Sequence, residues 1–216
     1  MRLVFLGPPG AGKGTQAALL AAKSHVPHIS TGEILRRAIE LATPTGIEAK
    51  EFVERGELVP FQIMLRLVQD RLREADAKSG WILDGFPRNL DQARAFDGLL
   101  EEFRVQLDRV IYFHLSDEAV VKRLTGRRIC RDCQAPYHLV FSPPQAPGVC
   151  DRCGGELYQR SDDDKEAILN RLKVYSQETN PLVAHYRERS LLETLDGDGD
   201  VAVVAAALEK ALGVDA

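Results

Sequence analysis

The chain has 216 residues, enough for one domain or for one core carrying small insertions. It is 44% hydrophobic and 28% charged, as ordinary globular proteins are, and its net charge of −4 argues against general nucleic-acid affinity. No apolar run approaches the ~20 residues that a membrane span needs. The N-terminus runs straight into a strand pattern without a signal-peptide layout, so a cytoplasmic location is expected. In that setting the four cysteines read as metal ligands rather than disulfides.

Leu3-Val4-Phe5-Leu6 is a short apolar strand, and Gln16 to Lys23 is a helical pattern rich in Ala and Leu. Between them lies Gly7-Pro8-Pro9-Gly10-Ala11-Gly12-Lys13-Gly14-Thr15. Glycines let backbone N–H groups turn inward onto an anion, the following helix adds its positive end, and Lys13 brings a charge to the outer phosphates. This is a phosphate cradle with one departure. Gly14 stands where a P-loop usually carries Ser or Thr to reach magnesium, and Thr15 follows one position later. The spelling Gly-x-x-Gly-x-Gly-Lys-Gly-Thr resembles the nucleoside monophosphate kinases, the adenylate kinases in particular. That resemblance implies Gly10, Ala11, Gly12, Lys13, Gly14 and Thr15 on ATP, and it requires a second phosphate site.

Pro27 to Ser30 is extended, and Thr31 is expected to cap a helix carrying Ile34, Leu35 and Ala38. Thr31-Gly32-Glu33-Ile34-Leu35-Arg36-Arg37 is similar to the AMP-site helix of the family. The match implies Thr31 near adenine and Arg36 on the AMP phosphate, with Arg37 a solvated neighbour. Taken alone, Arg36 would be a surface charge. Thr43-Pro44-Thr45 starts a further helix that runs to Glu54 and stops at Gly56. Glu57-Leu58-Val59 resembles the segment that lines the adenine, and ordinary packing is the other reading of Leu58 and Val59. Residues 30–59 thus form a helical AMP-binding insertion.

Phe61 to Glu74 is amphipathic, with Ile63, Leu65, Leu67, Val68 and Leu72 expected in the core. Trp81-Ile82-Leu83-Asp84 is a buried strand, and an acid at its carboxyl end beside a P-loop suits a magnesium-associated carboxylate acting through water. Gly85-Phe86-Pro87-Arg88 resembles the family's AMP loop. The resemblance puts Gly85, Phe86 and Pro87 at AMP, Arg88 on its phosphate and Gln92 at the adenine edge, where an amide can donate and accept. Without the family, Gln92 would be a surface helix residue.

Leu90 to Phe103 is helical, Arg109 to Leu115 is a strand ending at a histidine, and Asp117 to Thr125 is helical. Arg123 and Arg127 lie four apart, so one helix face is expected to carry both, and the resemblance brings them to the ATP phosphates. Cys130-x-x-Cys133 and Cys150-x-x-Cys153, sixteen residues apart, have zinc-ribbon spacing. Four thiolates close a tetrahedral site, which is structural rather than catalytic. The proline-rich stretch between has little core potential, so zinc is expected to fold it. Residues 127–160 carry five arginines and three acids, +2 in all, which zinc with four thiolates brings near neutral. This resembles the zinc-bearing lid of some bacterial adenylate kinases, in which the stretch matching Pro136-Tyr137-His138 touches the ATP adenine, Tyr137 being preferred here over Pro136.

Ser161 is expected to cap a helix with Asp162, Asp163 and Asp164 in its first turn, running from about 162 to 188 with a bend near Pro181. The resemblance points Arg160 and Arg171 at the phosphates, Arg171 on the AMP side. Lys165 and Ala167 depart from the acid and hydroxyl common in relatives. Leu191 to Leu195 is a last strand, Asp196-Gly197-Asp198-Gly199 is a turn, and Val201 to Leu212 is a closing helix; the resemblance implies that the turn offers backbone to the ATP base near Gly199.

The expected fold is α/β: a P-loop core with a parallel sheet (1–29, 60–126, 161–216), a helical insertion (30–59) and a zinc-bearing lid (127–160). The expected reaction is reversible phosphoryl transfer from MgATP to AMP giving two ADP by a monomer, with Mg2+ and structural Zn2+ and without nucleic-acid or membrane partners. The competing readings are a nucleic-acid-binding ribbon and a kinase for UMP or GMP. Three aromatics (Tyr137, Phe141, Tyr158) on a near-neutral ribbon speak against the first. Gln92 beside Gly85-Phe86-Pro87-Arg88 favours AMP over the second.

Overall fold

A computed structural model describes residues 1–214. Its centre is a five-stranded parallel sheet in the order β2-β3-β1-β4-β8. The strands are β1 (Arg2–Leu6), β2 (His28–Ser30), β3 (Trp81–Asp84), β4 (Arg109–His114) and β8 (Leu192–Asp196). Alternation splits their side chains between two covered faces. Val4, Leu6, Leu83 and Val110 enter one apolar cluster, and Leu3, Phe5, Ile82, Ile111 and Phe113 enter the other. Both faces are covered, which is why the strands read as continuous apolar runs.

Helices α1 (Lys13–Ser24), α4 (Phe61–Leu72), α5 (Leu90–Glu102), α6 (Asp117–Thr125), α7 (Lys165–Val174), α8 (Pro181–Glu188) and α9 (Val201–Leu212) belong to this body. Between β2 and α4, helices α2 (Thr31–Glu40) and α3 (Pro44–Glu54) pack on one another, with Gly46 against the backbone of Ala38. Strands β5 (Arg127–Cys130), β6 (Pro136–His138) and β7 (Leu157–Tyr158) form a separate antiparallel sheet around Cys130, Ala135, Tyr137, Cys150 and Leu157. No helix is long and apolar enough to cross a membrane among the described residues.

Side-chain caps set most helix starts: Thr43 for α3, Asn89 for α5 and Ser116 for α6. Several expectations are corrected. Ser30, not Thr31, caps α2, by accepting from the Glu33 amide, and Thr31 is the first helical residue. Asp164, not Ser161, caps α7; Ser161 to Asp163 form a separate 3-10 turn. The long helix from 162 is three pieces, with a π turn over Tyr175–Thr179 between α7 and α8. Arg127 opens a strand, so it shares no helix face with Arg123. In α4 the fully packed side chains are Met64, Val68 and Leu72, while Ile63, Leu65 and Leu67 are only partly buried.

At β1 the neighbours diverge, β3 on one side and β4 on the other. The crevice at the carboxyl ends of these strands is where an open parallel sheet binds ligands. The loop before α1 and the Gly85-Phe86-Pro87-Arg88 loop after β3 both open there.

Candidate active site

The loop before α1 is shaped by glycine. Gly7 has φ +144° and lies so close to β4 that a Cβ would come 2.6 Å from the Phe113 carbonyl oxygen. Gly12, at φ +84°, precedes α1 without any side-chain cap. The first amides of α1 are therefore left for an anion. Lys13 folds back over the loop, and its Nζ donates to the carbonyls of Gly7 (2.8 Å) and Pro8 (2.9 Å). Burial, and beyond it the Arg88, Arg171 and Arg127 charges, pull its pKa down from 10.5 to about 8, with Asp84 opposing.

That value gives a pH dependence with a definite sign. A nucleotide phosphate held in this loop would favour the charged amine and raise the pKa of Lys13. Between the free and bound values, binding takes up a proton and affinity falls as pH rises. MgATP affinity is expected to drop as pH climbs from 8 to 9, by up to about tenfold per unit. Calorimetry in two buffers of different ionisation enthalpy reads the proton uptake directly, and buffer-independent heats at pH 8.5 would contradict it.

Asp84 ends β3 beside Gly14: a Cβ on Gly14 would lie 3.5 Å from Asp84 Oδ2. His28 Nε2 is 3.8 Å from the same oxygen and has no other partner. Burial works against the Asp84 charge, but His28, Lys13 and Arg88 outweigh it and hold the carboxyl below the usual range.

A cleft open to solvent, holding a cavity of about 60 Å³, lies between α2, the 56–59 segment and the Arg88 loop. Its lining includes Arg36, Glu57, Leu58, Val59, Arg88, Gln92 and Arg171, all expected from sequence for a monophosphate. Thr31, Gly85, Phe86, Pro87 and Arg160 do not line this cleft. Thr31 is fully buried and donates its hydroxyl to the Asp84 carbonyl at 3.2 Å. Phe86 is fully buried, its ring edge-on to Phe96 at 5.6 Å, so the side chain serves the core. Pro87 is buried as well. Gly85, at φ +86°, makes room: a Cβ would meet the Thr31 hydroxyl at 2.6 Å and an Arg88 guanidinium nitrogen at 3.2 Å. Gln92 Oε1 accepts from the Arg88 amide at 2.7 Å, which fixes the side-chain amide and leaves Nε2 as its free donor among the described residues.

Arginines converge on this cavity and its rim from both insertions and the core. Burial, then Arg171, lowers Arg88 to about 10; burial, then Arg36 and Arg127, lowers Arg160 to about 9. Both remain cations at neutral pH. The Nε atoms of Arg36 and Arg160 are buried without a partner. Buried donors without acceptors are costly, and an anion is what would satisfy them.

Two residues that sequence reasoning read as mere helix-start acids organise this charge. Asp163 is fully buried and takes a two-point contact from Arg127, 2.7 Å to Nε and 2.6 Å to NH2, with Arg171 NH1 at 3.2 Å. Asp162 Oδ2 lies 2.9 Å from Arg171 NH1, and its carbonyl accepts from the same nitrogen at 2.9 Å. The available signal was the pair's position between Arg160 and Arg171. Asn170 on α7 also donates to the Arg55 carbonyl, tying the 30–59 segment to this region.

Arg123 sits beside the 196–200 turn, 3.4 Å from Asp198 Oδ1. Gly199 in that turn is exposed, and Gln16 Nε2 of α1 donates to Val201 just beyond it, at 2.9 Å. Pro136 is exposed. Tyr137, beside it in β6, packs into the ribbon. It is nine-tenths buried, its hydroxyl 3.4 Å from Cys150 Sγ and accepting from the Asp151 amide at 2.8 Å.

The sulfurs of Cys130, Cys133, Cys150 and Cys153 lie within 4.8 Å of one another, and all four cysteines are free. Cys130–Cys153 and Cys133–Cys150 separations of 3.4 and 3.5 Å are too long for disulfides and suit ligands of one ion. The Tyr137 hydrogen bond pulls the Cys150 thiol down, while the neighbouring sulfurs push Cys133 and Cys153 up, the repulsion that a shared cation would relieve. The four cysteines are positioned to bind one metal ion, and an all-sulfur tetrahedral donor set fits zinc.

Comparison with known proteins agrees with this geometry. The family model described as "Adenylate kinase" matches residues 5–191. The chain is 51% identical over 204 residues to the adenylate kinase of Desulfitobacterium hafniense, spanning 94% of each chain. It is 48% identical over 212 residues to the adenylate kinase of Methanocella arvoryzae, 98% of each. With that of Caldicellulosiruptor bescii it shares 47% over 215 residues, 100% of each. A P-loop core, an arginine-lined cavity and a four-cysteine ribbon, matched over nearly the whole chain, place it in the adenylate kinase family.

Proposed function

We propose that this adenylate kinase transfers the phosphoryl group between MgATP and AMP, giving two ADP, by enclosing the reacting phosphates in a cage of fixed cations. Convergence of Lys13, Arg36, Arg88, Arg127, Arg160 and Arg171 on one crevice carries the reading. The donor triphosphate lies along Gly10 to Thr15, with Lys13 swinging from its loop carbonyls to the outer phosphates. Arg123 and Arg127 hold the donor side, with Gly199 and Pro136 toward its base. The acceptor occupies the cavity, its phosphate on Arg36, Arg88 and Arg171 and its base at Leu58, Val59 and Gln92. Arg160 reaches the transferred group from the root of the 127–160 unit.

Phosphoryl transfer needs in-line positioning and charge neutralisation more than acid–base chemistry, and these side chains supply both. Magnesium entering with ATP would sit near Asp84 through water and neutralise phosphate oxygens when bound. Zinc on the four cysteines would hold the 127–160 unit folded and take no part in chemistry. Residues 30–59 and 127–160 close over the substrates and exclude water as a competing acceptor. The enzyme acts as a cytoplasmic monomer on small nucleotides, without nucleic-acid or membrane partners.

Asp163→Asn tests the cage. It leaves Arg127 and Arg171 buried without their shared counter-charge, so the two guanidiniums lose their fixed positions. A fall in kcat of up to about 100-fold is expected, the low end of what loss of one preorganised donor costs, because Asp162 still holds Arg171. Steady-state assays with both nucleotides varied read this, and unchanged kcat with a lowered Tm would reduce Asp163 to a structural role.

A further inference from the structure

The Arg88 main chain is held from both ends. Its amide donates to Gln92 Oε1 (2.7 Å), and its carbonyl accepts from the Thr179 hydroxyl at 2.7 Å. The guanidinium Nε donates to the Gly85 carbonyl at 2.7 Å. Gln92 and Gly85 are near neighbours in sequence. Thr179 comes from 91 residues away and from the last residue of the π turn.

That turn changes what the threonine can do. In a helix a threonine hydroxyl commonly bonds back to the carbonyl four residues earlier. Here that carbonyl, of Tyr175, accepts instead from the Asn180 amide at 2.8 Å, a five-residue closure. Thr179 is 8% exposed, and its hydroxyl is directed outward from its own helix onto the Arg88 loop. Single π turns inside helices are frequent at functional sites. The turn is also continuous with α7, which carries Arg171 into the same cavity.

We propose that Thr179 is a positioning residue for the acceptor nucleoside monophosphate. Its hydroxyl fixes the Arg88 carbonyl and so aims the guanidinium into the cavity. The π turn couples this aim to α7, so that Arg88 and Arg171 face one phosphate from a shared support. The inference rests on the reading that Arg88 contacts the acceptor phosphate.

The test is a double-mutant cycle on the full-length enzyme. Thr179→Val keeps the shape and removes the hydroxyl, Thr179→Ala removes it without branching, and Thr179→Ser restores it. Thr179→Val and Thr179→Ala are expected to raise KM for AMP about tenfold, with KM for ATP changed less than twofold, and Thr179→Ser to stay within about twofold of the parent. In an Arg88→Lys background, Thr179→Val is expected to add less than twofold, because the group it acts through is gone. A lowered Tm with both KM values unchanged overturns the proposal, as does an undiminished effect in the Arg88→Lys background. If Arg88→Lys itself leaves KM for AMP unchanged, the reading of Arg88 falls and the proposal with it. If Arg88→Lys alone impairs AMP use and Thr179→Val does not, only the proposal falls.

Discussion

Lys13→Met is expected to lower kcat about 10³-fold or more while the protein stays folded and still binds AMP. The magnitude follows from removing a cation that meets charge developing on the transferred group, where single preorganised donors contribute 10²–10³ and phosphate-directed cations more. Stability moves the other way. The folded pKa of Lys13, about 8, lies below its ordinary 10.5, so folding disfavours the charged amine. That penalty operates below the folded pKa and fades as pH rises toward the unfolded one. At pH 7 methionine removes it, so Tm is expected to hold or rise. Calorimetric titration with AMP and a thermal melt separate the two effects. A variant that retains more than about a tenth of parent kcat, or that melts well below it, would contradict the cradle role.

Loss of metal from the cysteine cluster is expected to have the largest effect on stability. Among the described residues the apolar cluster of the 127–158 sheet is Cys130, Ala135, Tyr137, Cys150 and Leu157, with Ile129 also buried. So small an apolar cluster does not hold a segment of this length alone. Metal binding can contribute roughly 10–16 kcal/mol in small four-ligand sites. Cys133→Ser exchanges an exposed ligand and leaves the buried pair Cys130 and Cys150 in place. The parent should carry one zinc per chain, and the variant should lose it. Proteolysis is then expected first in the exposed 139–149 stretch, with a lid transition several degrees below that of the core. Activity should fall with the lid, because Arg127 and Arg160 sit at its two roots. A chain without zinc whose melt matches the zinc-loaded one would show that the sheet folds by packing alone.

The parts legible in the sequence are those whose physics is local. The glycine loop needs its residues in register, and a helix start and Lys13 follow from that register. The cysteine pairs need only spacing, and the four sulfurs do meet. Trp81 to Asp84, a run of apolar residues ended by an acid, is a strand over those same residues. The cavity residues Arg36, Leu58, Val59, Arg88, Gln92 and Arg171 were reached through family resemblance, since composition and periodicity would have left them on the surface.

What was missed depends on orientation or on distant partners. Asp162 and Asp163 look like first-turn acids, and only Arg127, 36 residues from Asp163, and Arg171 reveal them as counter-charges. Arg127 follows α6 at helical spacing, but Gly126 ends the helix and a strand begins. The Thr179 contact spans the chain and depends on a π turn that no periodicity announces.

The most direct test of the central claim is ADP production from MgATP with AMP, UMP, CMP or GMP as acceptor, beside a control without acceptor. The cage and the cavity predict strong turnover with AMP, little with the others and almost none without an acceptor. Comparable turnover with a pyrimidine or with GMP would contradict the reading of Leu58, Val59 and Gln92 as the adenine site. ADP formed at the same rate without any acceptor would contradict the enclosed transfer itself.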